Sequence, residues 1–444
     1  MPGGLLTDQY ELNMAASYLA RDMDGLATFS LFVRKLPARR GFLVAAGLED
    51  ALAFLERFSF DDDELDYLRE GIGYGTGMVE AFRGLRFTGD VWAVPEGRVV
   101  LADEPLLEVT APIAEAQLVE TYLLNQLTYQ TAVATKAARC RLAAGAATVV
   151  DFAFRRTHGE DAAMAVARVS AIAGFGGTSN VEAARRYGLR PVGTMAHSFV
   201  EAFEDEADAF RAFAQDHPDR TTFLVDTYDT LEGVRVAIAV IRELDLTGPL
   251  AVRLDSGDLA VLARDARGIL DAAGLEHVQI FASGGLDEHE IDDIVRAGAP
   301  VDGFGVGTRM GTSSDAPSLD SAYKLVSYDG RPVMKLSEGK RTHPGAKQVF
   351  RRVTDAGVHD LLALREEAGP PGSEPLLVPV MAGGRRLGRP DTLEAARARC
   401  AADLAALPPA ARELREPRAP AAEVSPVLVA LGAEVAARHR RPPA

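Results

Sequence analysis

A chain of 444 residues, 47% hydrophobic and 25% charged, is long enough for two cores, one of which could be an α/β barrel of roughly 200–250 residues. With 64 acidic against 48 basic side chains the formal net charge is -16, which argues against a nucleic-acid partner or an anionic lipid surface and favours a small-molecule substrate. Cys140 and Cys400 stand far apart without CxxC spacing, so neither a disulfide framework nor a thiolate metal site is indicated, and charges break every apolar run before the ~20 residues of a membrane span.

Met1–Gln9 lacks the basic and apolar regions of a signal peptide, so a cytoplasmic location is expected. Residues 1–115 read as a mixed α/β domain. Its elements are a helix over Tyr10–Ala20, a strand at Ala27–Val33, a helix near Gly47–Phe58, and strand-like runs at Arg86–Val94 and Arg98–Thr110 closed by Pro112. Residues 114–144 carry apolar positions at helical spacing and predict one long helix or two.

Between Thr148 and Arg309 one unit repeats six times: a short apolar strand, a charged or glycine cluster, then an amphipathic helix. The strand ends are TVVDFAFRR (148–156), GTMAHSF (193–199), TFLVDTYDT (222–230), LAVRLDSGD (250–258), QIFASGGLD (279–287) and GFGVGTRMG (303–311). The fold class is therefore α/β, an irregular TIM-like barrel over 116–322, with the second mixed α/β domain built from 1–115 and from 323–444. In a parallel barrel the loops after the strands converge on one face, which brings Asp151, Arg155, His197, Asp226, Asp255, Gly285 and Arg309 together. Beyond the barrel, residues 323–337 predict a hairpin turning at Asp329–Gly330, and VFRRV, HDLLAL and PLLVPVM predict short strands that could pair back on the first domain. A helix over Thr392–Leu407 and a frayed RHRRPPA end complete the chain.

Chemistry is concentrated at the strand ends. Ser283, Gly284 and Gly285, and one unit later Gly305, Gly307 and Thr308, place bare amides between strand and helix, the late-barrel position of a phosphate. Either loop alone is also ordinary turn chemistry. Arg253 and Asp255, two apart on a strand, share a face, as a structural ion pair or as a ligand pair; the following Ser256–Gly257–Asp258 suits a ribose diol or Mg²⁺ held through water. Asp151, Phe152, Phe154, Arg155 and Arg156 lie within six residues, and an aromatic face beside a guanidinium can hold a planar anion, although a strand Phe is more often core. His197 stands among small residues at a strand end, open to a proton or a phosphoryl group, unlike the other seven histidines.

The ordered set TDQYELNMA (7–15), FVRKLPARRGFLVAAGLEDAL (32–52), DFAFRRTHG (151–159), AGFGGTSNV (173–181), GTMAHSF, VDTYDT, VRLDSGDL, ASGGLDE and GFGVGTR resembles nicotinate phosphoribosyltransferase, a type II phosphoribosyltransferase, from Leu6 to about Lys347. The resemblance implies formation of nicotinate mononucleotide and diphosphate from nicotinate and 5-phosphoribosyl 1-diphosphate in NAD salvage. It further implies Mg²⁺ as cofactor, and ATP as co-substrate, hydrolysed through a phosphohistidine at His197. It also implies that Tyr10 stacks on the nicotinate ring, reaching a neighbouring subunit's site in a homodimer, with Phe152 on the other face. Ser179 would line the ring pocket and Arg155 would meet anionic groups. By the same resemblance Arg253 and Asp255 serve the pyridine and ribose, Ser283–Gly285 with Gly305, Gly307 and Thr308 the 5′-phosphate, and Arg34, Lys35 and Arg40 the diphosphate. The Cys-rich metal-binding tail of some relatives is absent, so zinc is not expected.

Three rivals remain. Nicotinamide would favour an acid in the ring pocket and quinolinate additional cations, and Ser179 is neither. A phosphosugar isomerase or aldolase would want a Schiff-base lysine or a Glu base at a strand end, and the six ends offer none. A catalytically silent nucleotide binder would have no need of His197, Arg253 and Asp255 together.

Overall fold

The computed structural model describes residues 3–337 and 342–438. These form two compact units, one from the chain up to Ala132 with the chain from Ser318, the other Val133–Pro317. The expected divisions at 115/116 and 322/323 thus lie 17 residues before and 5 residues after the observed ones. The long helical segment accounts for the first difference: it forms two helices, Ile113–Leu118 and Glu120–Ala143, and the second contributes to both units.

In the first unit the N- and C-terminal segments share a seven-stranded sheet. Its order is Arg331–Pro332, Ser321–Tyr328, Leu26–Val33, Pro105–Pro112, Asp90–Ala93, Val378–Ala382, Arg385–Arg386. The central Leu26–Val33 strand is buried on both faces from Ala27 onward, which fits its unbroken run of apolar and small residues. Asp329 and Gly330 turn the predicted hairpin with φ of 47° and 70°, the left-handed pair that a two-residue turn needs. Lys347–Thr354 and Gly357–Leu364 instead join a separate four-stranded sheet with Glu374–Pro375 and Glu423–Val424. There the buried guanidinium of Arg351 donates to both oxygens of Asp360, at 2.9 and 2.5 Å, and to Asp403 at 3.0 Å. Of the RHRRPPA end, all but Arg438 lies outside the described residues.

The second unit is a parallel sheet in the order Thr148–Asp151, Gly303–Val306, Gln279–Ala282, Leu250–Leu254, Thr221–Leu224. Along Leu250–Leu254 burial alternates: Leu250, Val252 and Leu254 are buried while Ala251 and Arg253 are not. The period of two thereby separates the packed face from the face that carries chemistry. Three of the helices after these strands start at aspartates whose side chains accept backbone N–H groups: Asp229 before Thr230–Glu243, Asp258 before Leu259–Ala272 and Asp287 before Glu288–Arg296. Three of the five strand ends are therefore followed by a capped helix start within five residues, whereas the α-helices after Thr148–Asp151 and Gly303–Val306 start at Gly159 and Gly307 without a side-chain cap.

One expected strand is absent. GTMAHSF forms no strand; the sheet extends past Asp151 only by single parallel bridges, Asp151 to Thr178 and Thr178 to Pro191. Pro191 has no N–H for a ladder and Gly193 follows it, so pairing stops there and the chain runs irregularly to a short helix, His197–Glu201.

Candidate active site

Two cavities open at the carboxyl ends of the parallel strands. The first, of about 420 Å³, is lined by Phe152, Arg155, Ser179, Gly193–His197, Leu224, Arg253 and Asp255. The second, of about 170 Å³, is lined by Phe152, Arg155, Arg156, Arg253, Asp255, Ser283–Gly285, Gly305, Gly307 and Thr308. Phe152, Arg155, Arg253 and Asp255 belong to both, so they form the wall between a compartment holding the histidine and one floored by glycine loops. A third cavity, about 370 Å³, lies toward the other ends of the strands and contains one acid, Asp302, whose carboxylate already accepts the Ile280 N–H at 2.7 Å. Chemistry therefore belongs to the first two.

Arg253 is the hub of the shared wall. Its Nε donates to Ser283 Oγ at 2.8 Å, Nη1 to Thr194 Oγ1 at 3.1 Å and Nη2 to Asp255 Oδ1 at 2.7 Å, and its guanidinium lies 5.4 Å from the centroid of the Phe152 ring. Asp255 Oδ1 also accepts from the Ser283 hydroxyl, while Oδ2 makes no hydrogen bond among the described residues. Burial alone would raise the Asp255 carboxyl, but Ser283 and Arg253 outweigh it and hold the group below its ordinary range. The result is a carboxylate held below its ordinary range, with one oxygen free of hydrogen bonds among the described residues, at the junction of two cavities.

The phosphate reading of Ser283 needs correction. Its hydroxyl is committed to Arg253 and Asp255, its N–H donates to Leu254 at 2.9 Å, and the residue is buried, so it positions other side chains and has no group left for an anion. The amides of Gly284, Gly285 and Thr308 donate to nothing among the described residues and remain available. Gly284 has φ of +96° and a Cβ there would lie 1.9 Å from the Asp255 carbonyl oxygen, so only glycine fits. At Gly305 the space of a missing Cβ is taken by the Phe152 ring, 2.5 Å away, and glycine serves there to seat the aromatic.

Arg155 and Arg156 are exposed and make no ion pair among the described residues, whereas Arg309 pairs with Glu290 and approaches Asp287 at 3.7 Å. Arg309 is thus bound to acids and is not a free anion ligand. Of the remaining expected site residues, Tyr10, Arg34, Lys35 and Arg40 belong to the first unit. Tyr10 is half-exposed on the helix Gln9–Leu19, its phenol held above the ordinary range by partial burial and by the carboxylates of Glu120 and Glu11. Arg34 pairs with Asp320 at 2.8 Å, and Lys35 is exposed. Arg40 contradicts its expected diphosphate contact: it is 2% exposed and donates to the Ala132 carbonyl at 2.7 Å, which makes it a structural arginine.

Asp151 is also structural. Its Oδ1 accepts from the Ala153 N–H at 2.8 Å and Oδ2 from Thr178 Oγ1 at 2.6 Å, which joins the 151–156 loop to the GTSN segment. Burial pushes its carboxyl up to about 6, against the lowering pull of those two bonds. Because the folded state binds this proton more tightly than the unfolded chain, the contribution to stability is complete below roughly pH 4 and gone above about pH 6. Relative to Asp151→Asn, the wild-type protein should lose about 3 kcal/mol between pH 4 and pH 7.5 in urea denaturation. A gap that does not change with pH would refute the assignment.

A parallel sheet that gathers at its carboxyl ends three arginines, free glycine amides, an ionised aspartate and a histidine is that of an α/β enzyme for phosphorylated ligands. Residues 5–128 match the model of the nicotinate phosphoribosyltransferase N-terminal domain and residues 147–355 that of the nicotinate phosphoribosyltransferase family. The chain belongs to this family. It is 51% identical over 417 residues to nicotinate phosphoribosyltransferase pncB2 of Mycobacterium tuberculosis, covering 93% of this chain and 89% of that protein. To nicotinate phosphoribosyltransferase of Bacillus subtilis it is 45% identical over 378 residues, 82% of this chain and 76% of that one. The crystal structure of human nicotinic acid phosphoribosyltransferase superposes with a TM-score of 0.85 at 29% identity, covering 97% of this chain and 99% of the human one. No helix among the described residues is long and apolar enough to cross a membrane.

Proposed function

We propose that this chain is an enzyme that joins nicotinate to 5-phosphoribosyl 1-diphosphate, yielding nicotinate mononucleotide and diphosphate, with coupled hydrolysis of ATP through His197. The observation that carries this is the shared wall: Phe152, Arg155, Arg253 and Asp255 separate a ring-sized compartment from a phosphate-binding one, as a reaction between a ring nitrogen and a phosphorylated sugar requires. The ring nitrogen's lone pair forms the bond to the sugar C1 while the C1–O bond to diphosphate breaks, its electron pair leaving on the diphosphate oxygen. Positive charge develops on the sugar between these events. Asp255, ionised and with Oδ2 free, is the carboxylate to oppose it, and fixed charges in a preorganised site are the largest contribution available. Arg155 and Arg156 receive anionic oxygens, the amides of Gly284, Gly285 and Thr308 hold the 5′-phosphate, and Phe152 with Ser179 flanks the ring.

Among the described residues no three His, Cys, Asp or Glu side chains gather as a metal site, which fits a Mg²⁺ ion carried largely by substrate oxygens, with Asp255 as the residue that would hold it through water. Bound there, the ion neutralises diphosphate charge. The parallel sheet with its single-residue bridges is read as an irregular barrel. A cytoplasmic homodimer in which Tyr10, Arg34 and Lys35 serve the partner's site completes the proposal.

The test is product formation from nicotinate and phosphoribosyl diphosphate with Mg²⁺, with and without ATP, with nicotinamide and quinolinate run in parallel. Nicotinate mononucleotide, increased by ATP, is the expected result. Turnover of a different pyridine alone would keep the reaction class and overturn the substrate.

A further inference from the structure

The tripeptide Val225–Asp226–Thr227, just past the Thr221–Leu224 strand, makes contacts that neither compartment's lining explains. Asp226 Oδ2 accepts the backbone N–H of Asp255 at 2.9 Å and the hydroxyl of Ser256 at 2.6 Å. Its other oxygen, Oδ1, is buried and has no hydrogen-bond partner among the described residues. The next side chain, Thr227, places Oγ1 3.2 Å from His197 Nδ1. The segment cannot drift. Val225 N–H donates to the Arg253 carbonyl at 3.3 Å, Asp229 caps the following helix through the Glu232 N–H at 2.9 Å, and a Cβ at Gly233 would lie 2.2 Å from the Val225 carbonyl oxygen.

One short, doubly anchored segment therefore touches both functional ends of the site. An orphaned buried carboxylate oxygen costs free energy, and it persists here beside an oxygen that fixes the turn carrying Asp255. We propose that Asp226 and Thr227 are positioning residues that couple the two half-reactions, holding the imidazole of His197 and the carboxylate of Asp255 in one frame. This rests on the function proposed above. With Thr227 Oγ1 accepting from Nδ1–H, the lone pair of His197 is on Nε2. Nε2 forms the bond to the γ-phosphorus of ATP as the bond to the bridging oxygen breaks, its electron pair leaving on ADP. Water later takes the phosphoryl group to inorganic phosphate and the N–P electron pair returns to Nε2. The proton stays on Nδ1 throughout, donated to Thr227 Oγ1, and that hydrogen bond keeps the ring oriented.

The test measures ATP hydrolysed per nicotinate mononucleotide formed, with kcat and KM for each substrate, in the full-length protein and its variants. Thr227→Val should lower ATP hydrolysis about tenfold, and Thr227→Ser should restore most of it, since one hydrogen bond is at stake. Asp226→Ala should lower transfer about tenfold while hydrolysis continues, so that the ATP consumed per product rises. Asp226→Asn keeps an acceptor for the Asp255 amide and should recover at least half of the transfer. Ser256→Ala, at an exposed position, reads the same contact should Asp226→Ala fail to fold, and should raise the ratio about threefold. A ratio unmoved in Thr227→Val, Asp226→Ala and Ser256→Ala overturns the inference even though the wild type makes product. No product from the wild type overturns the proposed function itself.

Discussion

Asp255→Asn is expected to lower kcat for nicotinate mononucleotide formation by about 10²–10³-fold, the loss of roughly 3–4 kcal/mol of transition-state stabilisation that removal of one preorganised electrostatic group costs. The substitution keeps size, shape and one acceptor for Arg253 Nη2 and Ser283, so the wall between the compartments should stay in place. What it removes is charge. Oδ2 is the one oxygen of this group that makes no hydrogen bond among the described residues, so it is available to the ligand. Because Ser283 and Arg253 hold the carboxyl below its ordinary range, its contribution to stability is present above the unfolded pKa and is lost only as pH falls through the depressed folded value. Thermal stability of the variant at pH 7 should accordingly fall modestly beside the kinetic loss. Steady-state kinetics and melting curves on the same samples separate the two effects. Unchanged kcat with a lowered melting temperature would make Arg253–Asp255 a structural ion pair.

The strand–loop–helix units were legible because each is local: an apolar run of four or five residues and then, in three of them, an aspartate four or five residues on that caps the next helix, at Asp229, Asp258 and Asp287. The hairpin at Asp329–Gly330 was legible for the same reason. Gathering of Arg155 and Asp255 at one cavity also followed, since a parallel sheet sends its strand ends to one face, whereas His197 reaches the same cavity from an irregular segment that is not a strand. What stayed hidden depends on partners far along the chain. Ser283 reads as a phosphate residue until Asp255, 28 residues earlier, is seen to take its hydroxyl. Arg40 reads as a loop cation until its bond to Ala132, 92 residues away, shows it buried. Asp226 was legible as a strand-end acid within VDTYDT, but its role emerged only from the amide and hydroxyl it accepts across the neighbouring strand end. GTMAHSF has a composition that a strand tolerates, and only the missing ladder after Pro191 excludes it.

His197→Ala is expected to abolish ATP hydrolysis, by about three orders of magnitude or more as removal of a nucleophile does elsewhere, while leaving measurable transfer in the absence of ATP. His197 opens a short helix, and its ring faces the compartment that Phe152, Arg253 and Asp255 also line. It is the one histidine among the residues lining the two compartments, so no second imidazole there can take over the phosphoryl group. Alanine is also a small change for the fold: position 196 is already alanine, no side-chain cap is lost at the helix start, and the contact removed is the single one to Thr227. The residues that hold the sugar and oppose its charge, Asp255 and the glycine amides, do not hydrogen-bond to His197, so the transfer step survives at reduced efficiency. Parallel measurement of ADP release and of nicotinate mononucleotide separates the two activities. Hydrolysis of ATP at the wild-type rate by the variant would remove His197 from the mechanism, and loss of both activities with the fold intact would mean that transfer itself passes through the histidine.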